Sequence, residues 1–368
     1  MPQWHIYCAE SVSETVQFRR ADMAETERKV WRHSMKAAIY VGDGKFEIQE
    51  VPAPTPERPG DVVIKVLAAS ICGTDRSLTS PTAKRDMRGK ILGHELVGEV
   101  AACAPDVTNV AVGDRVVVNP NAYCTVCGPC RSGMPNHCEH MELMGITASG
   151  CFAEYVKSTA RMVFKISPDL ELKYACFAEP LSCALNGFTR LAVRNGATVL
   201  VIGGGPIGLL FANMARLSGG RVVVMELKEQ RRAIAEKCGF HTIVPGETAA
   251  DELKAHWGGN KRPEFIIDAA GGQLPTAISL AEFCARILCF AQTRTVSAES
   301  TFAGIQAKEL NILGSFIIHD TMARAVELLE SRRMTLDPMI THEMPLEELN
   351  RGMDLMRSGE GMEIILYI

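Results

Sequence analysis

Four cysteines within a short stretch most narrowly constrain what this 368-residue chain can fold into. They are Cys124, Cys127, Cys130 and Cys138, at the spacing C-x2-C-x2-C-x7-C. Four thiolates on one short loop can bind a zinc ion tetrahedrally, with Zn–S distances of about 2.3 Å and no open coordination position. Such a closed site stabilises a fold and does no chemistry. The pattern therefore predicts a structural zinc and places the active site elsewhere.

An iron–sulfur cluster and a chance group of free thiols both fit the cysteine pattern less well. A ferredoxin-type iron–sulfur run has its fourth cysteine after three residues, followed by a proline, whereas here the gap is seven residues and Glu139 follows. A chance group of thiols does not account for the regular spacing. The chain holds 13 cysteines, an odd number, and zinc thiolates with scattered free thiols indicate a reducing compartment. We therefore predict a cytoplasmic protein.

Charge and hydropathy argue against two classes of partner. The net charge of −4 speaks against a basic nucleic-acid surface, and we find no apolar stretch long enough to span a bilayer. Residues 1–34 differ from the rest and lack the apolar core of a signal peptide. We interpret them as an N-terminal extension, with three possibilities open: a helix around Ala21–Trp31, a disordered arm, or an upstream start before Met35.

The chain changes its rhythm between its two halves. Between about 36 and 160, short strands alternate with proline and glycine, most clearly at Lys36–Tyr40, Phe46–Val51, Asp61–Ala68, Glu95–Ala102 and Arg115–Val118. From about 198, apolar strands alternate with helices, which indicates a parallel sheet covered on both faces. The strands are expected at Thr198–Ile202, Arg221–Met225, Thr242–Val244, Glu264–Asp268, Ile287–Ala291 and Asn311–Phe316. Six such strands are typical of the doubly wound dinucleotide-binding fold.

The tail of the chain is expected to add two helices. In the second, the apolar side chains are spaced as on one helical face, with Pro345 at its start and Gly359 at its end; they are Leu346, Leu349, Met353 and Met356. We expect this stripe to pack into the core rather than to form an interaction surface.

A glycine-rich loop carries the strongest cofactor signal. Residues 199–208 hold the pattern G-x-G-x-x-G at Gly203, Gly205 and Gly208, with Pro206 and Ile207 between the last two glycines. The loop follows an apolar strand and opens a helix, which is the context that dinucleotide binding requires. The glycines permit a tight turn, close approach of the backbone to a pyrophosphate, and close packing of helix and strand. The pyrophosphate then meets the positive end of the helix.

The residue after the second strand of this unit bears on the choice of cofactor. Glu226 stands where a carboxylate can accept hydrogen bonds from the adenosine ribose diol and repel a 2′-phosphate. NAD is therefore expected rather than NADP. Three nearby cations argue against this choice, because any one of them could bind the 2′-phosphate of NADP: Lys228, Arg231 and Arg232.

A second set of metal-ligand residues is scattered along the chain. It comprises Cys72 in ICGTD, His94 and Glu95 in GHE, and Glu179 in AEP. A catalytic zinc needs three protein ligands and one exchangeable position, and cysteine, histidine and carboxylate can supply them. Each motif alone is more often a packed cysteine or an ordinary loop. Their joint occurrence, beside the cysteine tetrad and before a cofactor fold, favours a catalytic zinc site.

In their order along the chain, these motifs resemble the zinc-dependent medium-chain alcohol dehydrogenases, and most closely the polyol branch that includes sorbitol and threonine dehydrogenases. The resemblance covers about residues 35–368. It implies an α/β protein with a mostly β GroES-like catalytic domain (residues 35–181 and 319–368) and a six-stranded Rossmann NAD-binding domain (residues 182–318). It also implies two zinc ions per chain, a homodimer or homotetramer, and hydride transfer between a secondary alcohol or its ketone and NAD.

The resemblance assigns roles to individual residues. Cys72 and His94 would hold the catalytic zinc together with Glu95 or Glu179; we rank Glu95 as the direct ligand and Glu179 as ligand or water-holder. Thr74 would bind the substrate hydroxyl and pass its proton outward. Many relatives continue this proton relay with a histidine at the position of Ser77, so here the relay is shortened, routed through water, or served by another group.

A second departure concerns the substrate. Sorbitol dehydrogenases carry an Arg-Tyr pair after a Gly-x-Phe motif late in the sequence. In this chain the motif is Gly314-Ser315-Phe316, and Ile317 and Ile318 follow it, which argues against sorbitol as the substrate. Two rival functions remain. One is a zinc-free reductase of the same superfamily; such reductases lack the scattered ligand set, so its presence here argues against this function. The other is a zinc-ribbon binding module, which would have no need of catalytic zinc ligands, so the same set argues against it.

Overall fold

The computed structural model describes residues 34–291 and 299–368. The extension predicted for residues 1–34 lies outside the described residues except for Ser34, and so does the helix considered for Ala21–Trp31. Within the described ranges no helix is both long and apolar enough to cross a membrane.

The first part of the chain is mainly β-structure, as predicted. Its strands are β1 (Ser34–Gly42), β2 (Lys45–Pro52), β3 (Asp61–Ser70), β4 (Glu95–Cys103), β5 (Arg115–Val118), β6 (Asn121–Ala122), β7 (Glu142–Leu143), β8 (Tyr155–Thr159) and β9 (Val163–Lys165). Short helices interrupt them at α1 (Gly73–Leu78), α2 (Gly128–Arg131) and α3 (Leu172–Ala175), with 3-10 turns at Pro135–His137 and Ala160–Met162. Helix α4 (Ala178–Leu191) then leads into the second part.

The second part alternates strands with helices. Its strands are β10 (Thr198–Ile202), β11 (Arg221–Met225), β12 (His241–Ile243), β13 (Phe265–Asp268), β14 (Arg286–Cys289) and β15 (Asn311–Gly314). The helices between and after them are α5 (Pro206–Leu217), α6 (Glu229–Lys237), α7 (Ala249–Trp257), α8 (Leu274–Leu280), α9 (Glu299–Ala307) and α10 (Met322–Glu330). The tail adds β16 (Ile340–Pro345), α11 (Leu349–Ser358) and β17 (Glu363–Tyr367), with 3-10 turns at Asp337–Met339 and Leu346–Glu348.

The six strands of the second part form one parallel sheet in the order β12-β11-β10-β13-β14-β15, which is the 3-2-1-4-5-6 order of a dinucleotide-binding fold. The central strands are apolar because helices cover both faces: Val199, Leu200 and Val201 are each fully buried. The predicted doubly wound sheet is confirmed. The predicted strand ends differ by up to two residues, as at β14, because pairing stops where the chain turns: the N–H groups of Phe290 and Ala291 both donate to Asp268 O, at 3.1 and 3.2 Å.

The first part and the tail share the other large sheet. Its strands run β16-β17-β3-β4-β5-β9, with β8 also pairing with β3. Strand β17 pairs antiparallel with β3 and places Ile365 opposite Ser70. The last strand of the chain therefore lies in the same sheet as β4, with β3 between them. The domain boundary proposed between residues 181 and 182 falls inside α4, and it stays a prediction.

The apolar stripe of the tail packs inward, as expected. Leu349 is 1% exposed and Met353 is fully buried, with Leu346 buried beside them and Met356 partly buried. Gly359 ends α11 in the left-handed conformation, with φ of +78°, where glycine carries no steric penalty.

The glycine loop joins β10 to α5 through a turn that side chains would obstruct. Gly203 has φ of +103°. A Cβ on Gly208 would collide with Gly203 O, which lies far closer than carbon and oxygen can approach. A Cβ on Gly205 would meet only the Arg231 guanidinium, at 3.7 Å. The first and third glycines are therefore needed by the fold itself, whereas Gly205 leaves open space above the loop.

We expect Gly208→Ala to lower the free energy of unfolding by about 1–3 kcal/mol, because the helix must move away from the turn. Gly205→Ala is the matched control and should unfold nearly as the parent does. Urea unfolding of both variants, followed by circular dichroism, measures the difference. Equal stability of the two variants would contradict this account of the loop.

Candidate active site

The four cysteines converge on one lobe, residues 124–138. Their sulfur atoms all lie within 4.8 Å of one another, and Cys127 Sγ is 3.9 Å from Cys138 Sγ. A tetrahedral zinc with Zn–S distances of about 2.3 Å separates its sulfurs by about 3.8 Å. Backbone N–H groups also point at the sulfurs: those of Cys124 and His140 donate to Cys138 Sγ, each at 3.3 Å. The lobe therefore fits a zinc ion.

The thiols of the lobe are not equivalent. Backbone N–H groups of Val126 and Cys127 donate to the Cys124 sulfur and lower its pKa to about 6. Burial, together with hydrogen bonds to the sulfurs of Cys127 and Cys138, raises the pKa of Cys130 to about 12. Four thiolates at this separation repel one another, so a cation is needed for all four to be deprotonated together.

The scattered set also comes together, and the sheet explains why. Strand β3 ends at Ser70, and Cys72 follows it at the N-cap of α1. Strand β4 begins at Glu95 and pairs antiparallel with β3, so that Ser70 lies opposite Glu95. The end of one strand is thereby placed beside the start of the next. One ligand atom each of Cys72, His94 and Glu95 lies within 4.8 Å of the other two.

His94 is held beside a buried carboxylate. Its Nδ1 lies 3.7 Å from Asp75 Oδ1 and has no hydrogen-bond partner. Asp75 is fully buried and accepts the backbone N–H of Cys72 at 3.0 Å and that of Gly93 at 3.3 Å. Burial acts to lower the pKa of His94, but Asp75 and the neighbouring glutamates together raise it. The same charges favour a bound cation.

Glu95 lies near a second buried glutamate, Glu363. The Ser70 hydroxyl donates to Glu95 Oε2 and also interacts with Glu363, whose Oε1 is buried without a partner. Burial raises the pKa of Glu95, opposed by His94 and by the Ser70 hydrogen bond. Burial and the charge of Glu95 raise the pKa of Glu363 well above its ordinary value.

Glu179 falls outside the group of three ligand atoms. It lies in the first turn of α4, and its Oε1 accepts the Cys183 thiol at 3.2 Å, one helical turn later. Burial raises the pKa of Glu179 to about 7, against the lowering effect of His94. The carboxylate is therefore near the site, with its own hydrogen-bond partner.

The two predicted relay residues lie on α1, directly after Cys72. Thr74 and Ser77 are both exposed. The Ser77 hydroxyl donates to Gly73 O at 3.0 Å, one turn back in the same helix. Their part in proton transfer stays a prediction.

The donor set fits a divalent cation. Four carboxyl groups are buried here: Asp75 (0% exposed), Glu363 (4%), Glu95 (4%) and Glu179 (9%). Among the described residues, no lysine or arginine forms an ion pair with any of them. Buried carboxylates without a counter-charge are strongly disfavoured. A thiol, an imidazole and a carboxylate at one point suit zinc.

The cofactor loop is tied to Glu226. The backbone N–H of Gly204 donates to Glu226 Oε2 at 2.7 Å, and that of Lys228 donates to Oε1 at 2.8 Å. Both carboxylate oxygens thus already accept a bond from the chain, and each retains a further lone pair. The carboxylate is 8% exposed at the carboxyl end of β11.

The three cations near Glu226 have different positions. Arg232 Nη1 donates to the carbonyls of Glu226 and Leu227, and the Lys228 ammonium lies beside Gly359. Arg231 lies over Gly205, and its Nε is buried without a partner. Arg231 is therefore the cation best placed to meet an anionic group at the loop.

Sequence reasoning assigned no role to four residues of this site. They are Ser70, Asp75, Cys183 and Glu363. Asp75 was visible three residues after Cys72, and Cys183 one helical turn after Glu179. Glu363 is a lone acid in the apolar run MEIILYI, a pattern that marks a buried carboxyl. Ser70 carried no signal of its own, because its role depends on the pairing of β3 with β4.

Two family models match the chain. Residues 58–168 match the alcohol dehydrogenase GroES-like domain, and residues 206–331 match the zinc-binding dehydrogenase domain. The first range includes Cys72, His94, Glu95 and the cysteine lobe, and the second includes five of the six strands of the parallel sheet. Glu179 and strand β10 lie between the two ranges.

Individual relatives span nearly the whole chain. An L-threonine 3-dehydrogenase of Bacillus velezensis is 32% identical over 89% of this chain and 98% of the relative. An erythritol/L-threitol dehydrogenase of Mycolicibacterium smegmatis is 30% identical over 89% of this chain and 95% of the relative. An alcohol dehydrogenase of Escherichia coli CFT073, solved with NADH, superposes with a TM-score of 0.84 at 29% identity, covering 92% of this chain and 100% of that one. The chain therefore belongs to the zinc-type medium-chain alcohol dehydrogenase family, and the relatives that it matches here include polyol and threonine dehydrogenases.

Proposed function

We propose that this protein transfers a hydride between a secondary alcohol and NAD at a zinc site formed by Cys72, His94 and Glu95. The observation that carries the proposal is the convergence of one ligand atom from each of these three side chains within 4.8 Å, beside buried carboxyls with which no lysine or arginine of the described residues forms an ion pair. The cysteine lobe would hold a second, structural zinc.

The residues around the three ligands would hold them in place. Asp75 faces His94 Nδ1 and would fix the imidazole orientation, a common role of carboxylates behind metal-bound histidines. The Ser70 hydroxyl fixes one oxygen of Glu95. Glu179, held by Cys183, would be a reserve ligand or hold a water molecule. A zinc ion bound here supplies Lewis acidity, which makes an alcohol hydroxyl easier to deprotonate.

The chain's own polar groups would handle the proton. Thr74, exposed on α1 directly after Cys72, would accept the hydrogen bond of the substrate hydroxyl and lead its proton toward solvent. Ser77 is one helical turn from Gly73, to which its hydroxyl donates. For Ser77 to take part in a proton relay, its hydroxyl would have to release Gly73 O and donate to a water molecule instead.

The glycine loop would bind the cofactor pyrophosphate. Gly203, Gly205 and Gly208 shape the turn, and Pro206 and Ile207 begin α5, whose N-terminus attracts anions. The pyrophosphate would lie over Gly205, within reach of Arg231. Glu226 would face the adenosine ribose, where its negative charge disfavours a 2′-phosphate. This charge supports NAD over NADP.

For the substrate we propose a polyol, a sugar-derived alcohol or a short functionalised secondary alcohol. The relatives named for threonine and for erythritol or threitol support this range. Ile317 and Ile318 stand where sorbitol dehydrogenases carry an Arg-Tyr pair, and at that place they would give the pocket two apolar side chains, which suits a shorter or less hydroxylated chain than sorbitol. We further propose a cytoplasmic homodimer or homotetramer that binds neither nucleic acid nor membranes.

We expect Cys72→Ser to abolish NAD reduction and to lower the zinc content from two to one per chain. Cys284→Ser, which changes an exposed thiol outside both clusters, is the matched control and should keep both. Zinc content by mass spectrometry and NADH absorbance, screened over sugar alcohols, sugar phosphates, amino alcohols and short diols, measure the outcome. Undiminished turnover in metal-free protein would refute the zinc mechanism, and a parent with one zinc and no turnover would favour a binding module.

We expect Glu226→Gln to reduce the preference for NAD over NADP, measured as the ratio of kcat/KM values, by about tenfold, because a charged hydrogen-bond acceptor is lost. Arg231→Ala should weaken both cofactors if Arg231 meets the pyrophosphate. A parent that prefers NADP, or an Arg231→Ala variant that loses only NADP, would contradict the NAD assignment.

We expect Cys130→Ser to lose the lobe's zinc and to lower the melting temperature, because structural zinc contributes folding energy directly. Catalysis should fall only as a consequence. A Cys130→Ser protein that melts like the parent yet is inactive would show that this division of labour is wrong.

A further inference from the structure

One segment lies between the cysteine lobe and the helix that carries Glu179, and it contacts both. It is Phe316–Thr321, which follows β15 and precedes α10. Strand β15 runs parallel to β10, so the segment leaves the sheet at the carboxyl ends of the strands, as the glycine loop does. In open α/β sheets, ligands bind at the carboxyl ends of the strands.

Helix α4 holds the segment through buried polar groups. Asn186 Nδ2 donates to Phe316 O at 3.1 Å and to Ile317 O at 2.8 Å. The Thr321 hydroxyl donates to Ser182 O at 2.7 Å. Ser182 and Asn186 lie one and two turns after Glu179 on α4. The segment thus lies along the helix that places Glu179 at the candidate active site.

The cysteine lobe holds the other side of the same segment. Asn136 Nδ2 donates to Phe316 O at 3.1 Å, and the His137 ring stacks on Phe316 with centroids 5.6 Å apart. His319 Nε2 is hydrogen-bonded to Gly133 O at 2.9 Å. Gly133, Asn136 and His137 all lie between Cys130 and Cys138, so a metal in the lobe would fix their positions.

The held backbone is strained. Ile317 has φ of +42° and Asp320 has φ of +54°. Positive φ is rare for any residue with a side chain and a true outlier for a β-branched one. Such conformations persist only where the surroundings enforce them, and they concentrate at functional sites. Here the enforcing contacts come from Asn186 on one side and from Asn136 and His319 on the other.

We propose that the cysteine lobe sets the shape of the substrate pocket by clamping Phe316–Thr321, with Asn136 and His319 as positioning residues. This inference rests on the proposed function for its consequence, since the proposed function takes Ile317 and Ile318 as pocket residues; Ile317 is partly exposed and Ile318 is buried. Loss of the clamp lets Ile317 relax to negative φ. The alcohol then binds more weakly, while the zinc ligands and the glycine loop are untouched.

The test uses the full-length, zinc-loaded protein with Asn136→Leu and His319→Ala. The matched control is Glu139→Ala, which changes an exposed residue directly after Cys138 at the end of the lobe. Hydrogen–deuterium exchange of residues 315–321 reports the clamp without any substrate. Kinetics use the alcohol that the parent oxidises fastest among the sugar alcohols, sugar phosphates, amino alcohols and short diols. We expect faster exchange in both variants, unchanged zinc content, and a rise in the KM for alcohol of about three- to tenfold with a smaller change in kcat.

The outcomes separate the clamp from the enzyme activity. Exchange at the parent's rate in both variants would overturn the clamp, whatever reaction the protein catalyses. Faster exchange with unchanged KM and kcat would overturn its role in substrate binding. A parent that oxidises no alcohol would refute the proposed function and with it that role, while the exchange data would still decide whether the clamp exists. Zinc loss from either variant would show a structural role instead.

Discussion

The burial of four carboxyl groups near the Cys72 thiol and the His94 imidazole is the constraint on which the rest of this structure depends. Asp75, Glu95, Glu179 and Glu363 are each at most 9% exposed, and burial raises the pKa of all four. A folded chain can keep such a cluster only if protons or a cation offset the charge. A divalent metal does so at one point and uses the cysteine and the histidine as well. The electrostatics therefore favour a metal site independently of any family resemblance.

The β-sheet makes this cluster possible by joining segments far apart in sequence. Antiparallel pairing of β3 with β4 places the residues after Ser70 beside those around Glu95. Pairing of β17 with β3 adds Glu363 from the end of the chain, and α4 brings Glu179 over the same edge. Each element is fixed by its own apolar packing. The acidic groups are therefore positioned by apolar packing and do not themselves stabilise the fold. This is expected of a functional site, whose cost in stability the rest of the fold offsets.

The sequence predicted those features whose determinants are local. The cysteine lobe, the glycine loop and the six parallel strands each follow from spacing or periodicity within a short window, and the structure has all of them. The strand ends were less accurate, because they depend on where neighbouring strands stop. The role of Ser70 could not be read at all, and for Glu363 the sequence indicates only a buried carboxyl, since both roles arise from strand pairing. Asp75 and Cys183 lie within one helical turn of predicted site residues, and helix geometry alone could have identified them.

The two clusters of candidate metal ligands make different demands on the chain, and the difference suggests why both are present. The lobe takes its ligands from one loop, so it can form with little help from the rest of the fold. The scattered site needs two sheet strands and a helix in register before its ligands meet. The lobe contacts Phe316 and His319, and the carbonyl of Phe316 also accepts a hydrogen bond from Asn186 on the helix that carries Glu179. Through these few hydrogen bonds, a locally specified cluster would support one that only the complete fold can assemble.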